Sequence, residues 1–322
     1  MENNKKIIYF VVPCYNEEEV LPETSKRLLE KVESLVSCDK ISDKSRIIFV
    51  NDGSKDKTWE LISQYHNENK YFEGVKLSRN RGHQNALLAG LMTALESECD
   101  AAISLDADLQ DDINACDEMI EKFSTQGCDV VYGVRSARKK DTFFKKFTAE
   151  GFYKIMAMMG CEITFNHADY RLLSFRALQA LAQYREVNLF LRGIVPMLGY
   201  KTDKVYYERS ERFAGESKYP LKKMLSFAAE GITSLTIKPI RMITTLGFVC
   251  FVVSIIMLIY SLIRHFTGHT VSGWTSLVVS IWALGGLQLL AIGIVGEYVG
   301  KTYLETKQRP KYIIETYLKN DE

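Results

Sequence analysis

The sequence of 322 residues is short of most features that place a chain quickly. It has six prolines, five histidines and three tryptophans, and it contains no low-complexity tract and no internal repeat. Lys and Arg total 41 against 40 Asp and Glu, so net charge gives neither the basic footprint of a nucleic-acid binder nor an acidic tail. The seven cysteines, at positions 14, 38, 99, 116, 128, 161 and 250, make no CxxC pair and no other zinc-ligand spacing. An odd, unpatterned set suits reduced thiols in a cytosolic setting. Met1 to Lys6 is polar, and the apolar run after it contains Pro13 and is only strand-length, so no signal peptide is expected.

What is present is an alternation. Short apolar runs rich in Val, Ile and Phe at 7–13, 46–52, 73–78, 101–108 and 129–135 read as buried parallel strands. Helical patterns near 17–36, 56–68, 83–96 and 113–126 separate them. This β-α repeat predicts an α/β fold, a doubly wound sheet with right-handed crossovers. Ligands of such sheets sit beyond the carboxyl ends of the strands, so the polar residues there carry the interest.

Composition changes after Pro239. Met242–Ile263 and Thr275–Gly296 are free of charge, about 22 residues each, and at 1.5 Å per residue each reaches about 33 Å, enough to cross a hydrocarbon core. Lys222, Lys223, Lys238 and Arg241 precede the first stretch, and Lys301, Lys307, Arg309 and Lys311 follow the second. The 264–274 connection has only Arg264. Two membrane spans with both ends and the large domain on the cytoplasmic side are therefore expected; two buried helices of a soluble core are the competing reading. Leu221, Leu225, Ala228, Ile232 and Leu235 recur at helical spacing and suit an amphipathic helix lying in the membrane interface. In the second span, Gly285, Gly286, Gly293 and Gly296 are expected to permit close helix packing.

The most informative stretch is Ser104 to Asp112, which follows an apolar strand and contains Asp106, Asp108 and Gln110. Two carboxylates one residue apart at a strand end can hold a hard divalent cation, which takes one or two carboxylates plus substrate phosphate oxygens. Ordinary helix capping accounts for a lone D-x-D equally well. The first strand ends in Val12-Pro13-Cys14-Tyr15-Asn16-Glu17, and the second in Asn51-Asp52-Gly53-Ser54. An aromatic ring and a carboxylate at neighbouring strand ends can sandwich a nucleobase and accept its N–H. Between Arg135 and Lys146, six basic residues, Arg138 among them, face only Asp141, a cluster suited to a lipid phosphate or to anionic headgroups. His83 and His167 have no metal-ligand spacing to another His or Cys and read as structural.

Taken in order, Pro13-Cys14-Tyr15-Asn16-Glu17, Asn51-Asp52-Gly53-Ser54, Arg79-Asn80-Arg81-Gly82, Asp106-Ala107-Asp108-Leu109-Gln110, Ala168-Asp169-Tyr170-Arg171-Leu172, Arg192-Gly193 and Gly215-Glu216-Ser217-Lys218-Tyr219 resemble the inverting GT-A glycosyltransferases. The resemblance is to the polyprenyl-phosphate enzymes similar to dolichyl-phosphate mannose synthase. It implies that Pro13, Tyr15, Glu17, Asp52 and Gly82 hold the nucleotide-sugar, with Asp52 on the uracil of a UDP donor. Asp106 would face the donor, Asp108 and Gln110 would ligate Mg2+ or Mn2+, and Asp169 would sit at the reacting centre. Arg135 matches an arginine of the family; with Arg138, Ser217 and Lys218 it is assigned to the acceptor phosphate. Asn51 stands where an acid is common, and Tyr170 where Phe is usual.

The expected layout is a catalytic domain over 1–215, an interfacial segment over 216–240, a two-helix membrane hairpin over 241–297 and a cytoplasmic tail over 298–322. The expected reaction is metal-dependent inverting transfer from a nucleotide-sugar to polyprenyl (undecaprenyl) phosphate at the plasma membrane, by a homo-oligomer without nucleic-acid partners. UDP-glucose is the first donor, with UDP-GlcNAc and UDP-GalNAc close behind. A processive polysaccharide synthase is disfavoured because the chain lacks an Arg-Trp pair, and a silent nucleotide-binding scaffold because Asp106, Asp108 and Gln110 stand together.

Overall fold

The computed structural model describes residues 5–136, 167–187, 189–208, 236, 238–266 and 274–320. Strands β1 (Ile8–Cys14), β2 (Arg46–Asn51), β3 (Phe72–Leu77) and β4 (Ala101–Ser104) are parallel neighbours, with β1 between β4 and β2. Helices α1 (Leu21–Ser37), α2 (Thr58–Glu68) and α3 (His83–Glu96) connect them, and α4 (Ala115–Gln126) leads to β5 (Val130–Arg135). These are the elements expected from the periodicity, with one strand shorter than expected. Leu105 N–H still bonds Val11 carbonyl, but the chain then turns through Leu109 at φ 55°, so the apolar run ends its pairing at Ser104.

The eight-stranded sheet has the order β7-β5-β6-β4-β1-β2-β3-β8, completed by β6 (His167–Ser174), β7 (Thr202–Tyr207) and β8 (Ile314–Leu318). It is mixed, not purely parallel, because β6 runs antiparallel to both β4 and β5, and β8 antiparallel to β3. Two short helices, α5 (Phe175–Ala182) and α6 (Leu191–Met197), follow β6. Strand alternation sorts the core into two layers. Ile8, Phe10 and Val12 pack with α1 and α4 on one face, while Tyr9 and Val11 pack with α3 and α5 on the other. A Cβ on Gly90 would lie 2.7 Å from Val50 Cγ2, so glycine lets α3 press directly on the sheet.

Helices α7 (Lys238–Phe266) and α8 (Trp274–Thr306) cover the two uncharged stretches. Among the described residues, no helix is long and apolar enough to cross a membrane, so the two expected spans are not shown here. Large apolar side chains are nonetheless exposed along both, among them Phe248 at 66%, Ile256 at 59%, Leu289 at 72% and Ile292 at 66%. The expected interfacial helix at 221–235 lies outside the described residues.

The C-terminal segment, expected as a tail, returns to the sheet. β8 covers the edge of β3, which would otherwise present unpaired backbone groups. Lys76 Nζ meets Glu315 Oε1 at 2.7 Å, and Tyr317 OH donates to buried Glu73 Oε2 at 2.7 Å. The segment that follows α8 is thus part of the same sheet as the first strand.

Candidate active site

The carboxyl ends of β1 and β4 open onto a cleft of about 810 Å³ whose lining includes Pro13, Glu17, His83, Asp106, Asp108, Asp169 and Arg192. Strand pairing assembles its floor. β4 and β6 pair with Ser104 opposite Arg171, and Ser104 Oγ donates to the Asp169 carbonyl at 2.5 Å, which brings Asp169 beside the end of β4, where Asp106 follows. Alternation along β6 puts Asp169 and Arg171 on one face and Tyr170 on the other. Tyr170 OH donates to the Asp112 carbonyl and lies against Cys116 Sγ, both at 3.0 Å. The hydroxyl that sets this tyrosine apart from the usual phenylalanine therefore has partners inside the core.

Asp169 is enclosed by basic side chains. Arg171 Nη2 reaches Oδ1 at 2.5 Å, Arg192 grips both oxygens through Nε (3.2 Å) and Nη2 (3.0 Å), and His83 Nε2 lies 3.6 Å from Oδ2. Burial alone would raise its pKa, but His83, Arg192 and Arg171 together hold it well below the usual carboxylate range. The same histidine lies 3.5 Å from Asp106 Oδ1. Burial works to lower the His83 pKa, yet the Asp169 hydrogen bond and the charges of Asp106 and Asp169 outweigh it and raise the value.

Asp106 stands in the opposite field. Burial at the cleft floor, joined by the charges of Asp169, Asp111 and Asp108, pushes it up to about 6 despite His83. Among the described residues, no group of three or more His, Cys, Asp or Glu is arranged to hold a metal ion. A cage of protein ligands is therefore not formed. A hard cation shared with a diphosphate keeps its own waters and needs one or two carboxylates, and Asp106 and Asp108, facing the cleft amid like charge, fit that group.

Of the residues expected at the site, the structure brings Pro13, Glu17, Asp106, Asp108 and Asp169 to the cleft. The others among the described residues lie outside that lining. Asp52 is buried, and its two oxygens accept the backbone N–H groups of Arg81 (2.6 Å) and Gly82 (2.9 Å), so it holds the 79–82 loop and does not line the cleft. Burial nevertheless raises its pKa. Gly82 N–H is engaged by that carboxylate and by Asn80 Oδ1. Gln110 is buried, and its backbone N–H donates to Asp108 Oδ1 at 3.2 Å; it steadies the turn and is not among the cleft residues. Tyr15 is 44% exposed and likewise lies outside the cleft lining.

Arg135, expected at the acceptor phosphate, is held in place by Asp111. Its guanidinium makes a two-point contact with Asp111, Nε to Oδ1 at 3.0 Å and Nη2 to Oδ2 at 3.2 Å, and Tyr207 OH donates to the same carboxylate at 2.7 Å. A buried carboxylate anchors it, and Arg135 does not line the cleft. Arg138, Ser217 and Lys218 lie outside the described residues. Asn51 is explained locally, since its Oδ1 accepts Ser54 N–H at 3.1 Å in the tight turn made by Gly53 at φ 64°.

Two site residues were missed. His83, read as structural, opens α3 directly after the 79–82 loop and bridges two aspartates; its place at a strand-to-helix junction was the available signal. Arg192 belonged to a quoted motif without a role, and the structure sets it on Asp169.

The sequence profile described as "Glycosyl transferase family 2" matches residues 9–182, which span the strands and the aspartates just described. The chain belongs to glycosyl transferase family 2. It is 53% identical over all its 322 residues, and over 95% of the relative, to a protein named "Uncharacterized glycosyltransferase YkoT" of Bacillus subtilis. It is 41% identical to a "Prophage bactoprenol glucosyl transferase homolog" of Escherichia coli, covering 95% of this chain and 98% of that one. With a "Bactoprenol glucosyl transferase" of Shigella phage SfV it shares 40% identity over 95% and 97% of the two lengths. This family 2 protein is thus a glycosyltransferase with an α/β fold, and the cleft is its candidate active site.

Proposed function

We propose that this glycosyltransferase moves a sugar, glucose in the first instance, from a UDP-sugar to polyprenyl phosphate, with inversion at the anomeric carbon. UDP-GlcNAc and UDP-GalNAc are the alternative donors. The observation that carries the reading is the reach of the likeness. Relatives named bactoprenol glucosyl transferase align over 95% of the chain, too much to omit either the cleft or the helix pair.

Asp106 and Asp108 would hold Mg2+ or Mn2+ against the donor diphosphate, and such a cation, when bound, neutralises charge on a departing nucleoside diphosphate. Glu17 and Pro13 line the same cleft and are assigned to the nucleoside side. Arg192, fixed on Asp169, presents positive charge where phosphate groups meet. Asp169 has two arginines and His83 as partners and a depressed pKa, which suits an electrostatic and orienting role better than proton abstraction. A strong base is not required, because a phosphate monoester with a second pKa near 6 is mostly dianionic at neutral pH. The acceptor oxygen attacks in line, and a donor of α configuration gives a β-linked product.

For the lipid side, exposed apolar side chains along α7 and α8 favour a membrane as their cover, with the catalytic domain at the cytoplasmic face. A homo-oligomer would bury part of the same surface. The test is to incubate purified protein with Mg2+, undecaprenyl phosphate and a panel of radiolabelled UDP-sugars, and to count label in the organic phase. Metal-dependent label from one donor is the expected result; absence of label from every donor, with UDP still bound, would overturn the acceptor assignment.

A further inference from the structure

The segment that brings Arg192 to Asp169 is fastened from two sides. On the cleft side, Gln84 Oε1 accepts the Leu191 N–H at 2.9 Å, so the residue after His83 holds the residue before Arg192. On the far side, both carboxylate oxygens of Glu305 accept the Val187 N–H, at 2.9 and 2.8 Å, and Lys311 Nζ donates to the Tyr184 carbonyl at 2.7 Å. Glu305 belongs to the last turn of α8, and Lys311 to the connection into β8. Bonds from Leu189 N–H to the Val187 carbonyl and from Gly193 and Ile194 N–H to the Phe190 carbonyl carry this hold into α6. A carboxylate that accepts a backbone N–H makes a charge-assisted bond, roughly twice as strong as a neutral one.

We propose that Glu305 is a positioning residue for sugar transfer: by holding Val187 it sets Arg192 on Asp169, and so ties the end of the apolar helix α8 to the cleft. The inference uses the proposed reaction as its readout, while the linkage itself stands on the contacts above. Misplacing a phosphate-facing guanidinium by about 1 Å is of the size that costs ten- to a hundred-fold in rate.

The experiment is a double-mutant cycle on the full-length chain in detergent or lipid, with Glu305→Ala, Arg192→Ala, the double variant, and Glu305→Gln as the conservative control. It is read in kcat/KM where wild-type transfer to undecaprenyl phosphate occurs, and in UDP affinity with Mg2+ where it does not, so that loss of the acceptor assignment is told apart from loss of the linkage. Glu305→Ala alone is expected to lower the readout by about ten-fold, and by less than about two-fold once Arg192 is Ala. Glu305→Gln, whose amide oxygen still accepts the Val187 N–H, should retain most of the wild-type value. Multiplicative losses in the double variant, or a Glu305→Gln loss as large as that of Glu305→Ala, would overturn the proposal.

Discussion

Asp106 and Asp169 open on the same cleft from paired strands, yet their surroundings move their protons in opposite directions. Around Asp169 the protein has already supplied the countercharge, in Arg171 and Arg192, with His83 beside them. Around Asp106 burial, joined by the charges of Asp169, Asp111 and Asp108, outweighs His83, and its pKa rises to about 6. A site built this way sets an ion-pair network, which fixes shape, beside a carboxylate-rich turn that, on the proposed reading, would share a cation with the donor diphosphate. The two kinds of aspartate should therefore fail differently when altered.

The largest effect is expected on the cation side. Asp108→Ala should lower metal-dependent transfer by at least about a hundred-fold, and cost about 1 kcal/mol of stability through the lost hydrogen bond from the Gln110 N–H. Asp169→Asn should act on the fold as well. Arg171 is 1% exposed, and removing the carboxylate from such a partner costs about 3 kcal/mol, measurable by urea unfolding of the variant. Its remaining activity should not recover at high pH; full recovery there would restore a base role for Asp169.

A smaller loss, about 1 kcal/mol, is expected from Tyr170→Phe, which removes one donor from the Asp112 carbonyl away from the cleft. The smallest effect concerns Glu73 under β8. Its pKa is raised, first by burial, against the hydrogen bond from Tyr317 and the charge of Arg46. A raised carboxylate binds its proton more tightly when folded, so its contribution to stability is present below the ordinary glutamate range, about 4.3, and is lost as pH rises through the folded value. Glu73→Gln should flatten that part of the stability curve without touching transfer.

Much of this was legible from the residues. Short apolar runs and the helical patterns between them located β1 to β5 and α1 to α4, because buried parallel strands and their crossover helices state their burial in composition. β8 was hidden because Ile314-Glu315-Thr316-Tyr317-Leu318 lies beyond the two apolar stretches, in the segment expected as a tail, and it pairs at the open edge of β3. The contact of Arg135 with Asp111 was not legible because the two lie 24 residues apart and meet through the fold, while the neighbouring lysines were visible in one line of sequence. His83 was set aside by a rule about spacing along the chain, whereas its two aspartates come from β6 and from the turn after β4. Motif order located the cleft; which motif residues face it, and which hold the loops behind it, depended on pairings between strands.

The most direct test of the account is calorimetric titration of UDP into wild type and Asp108→Ala, each with and without Mg2+. The account predicts that the cation tightens UDP binding at least about ten-fold in wild type and not in the variant. Equal UDP affinity with and without Mg2+ in the wild-type protein would contradict it.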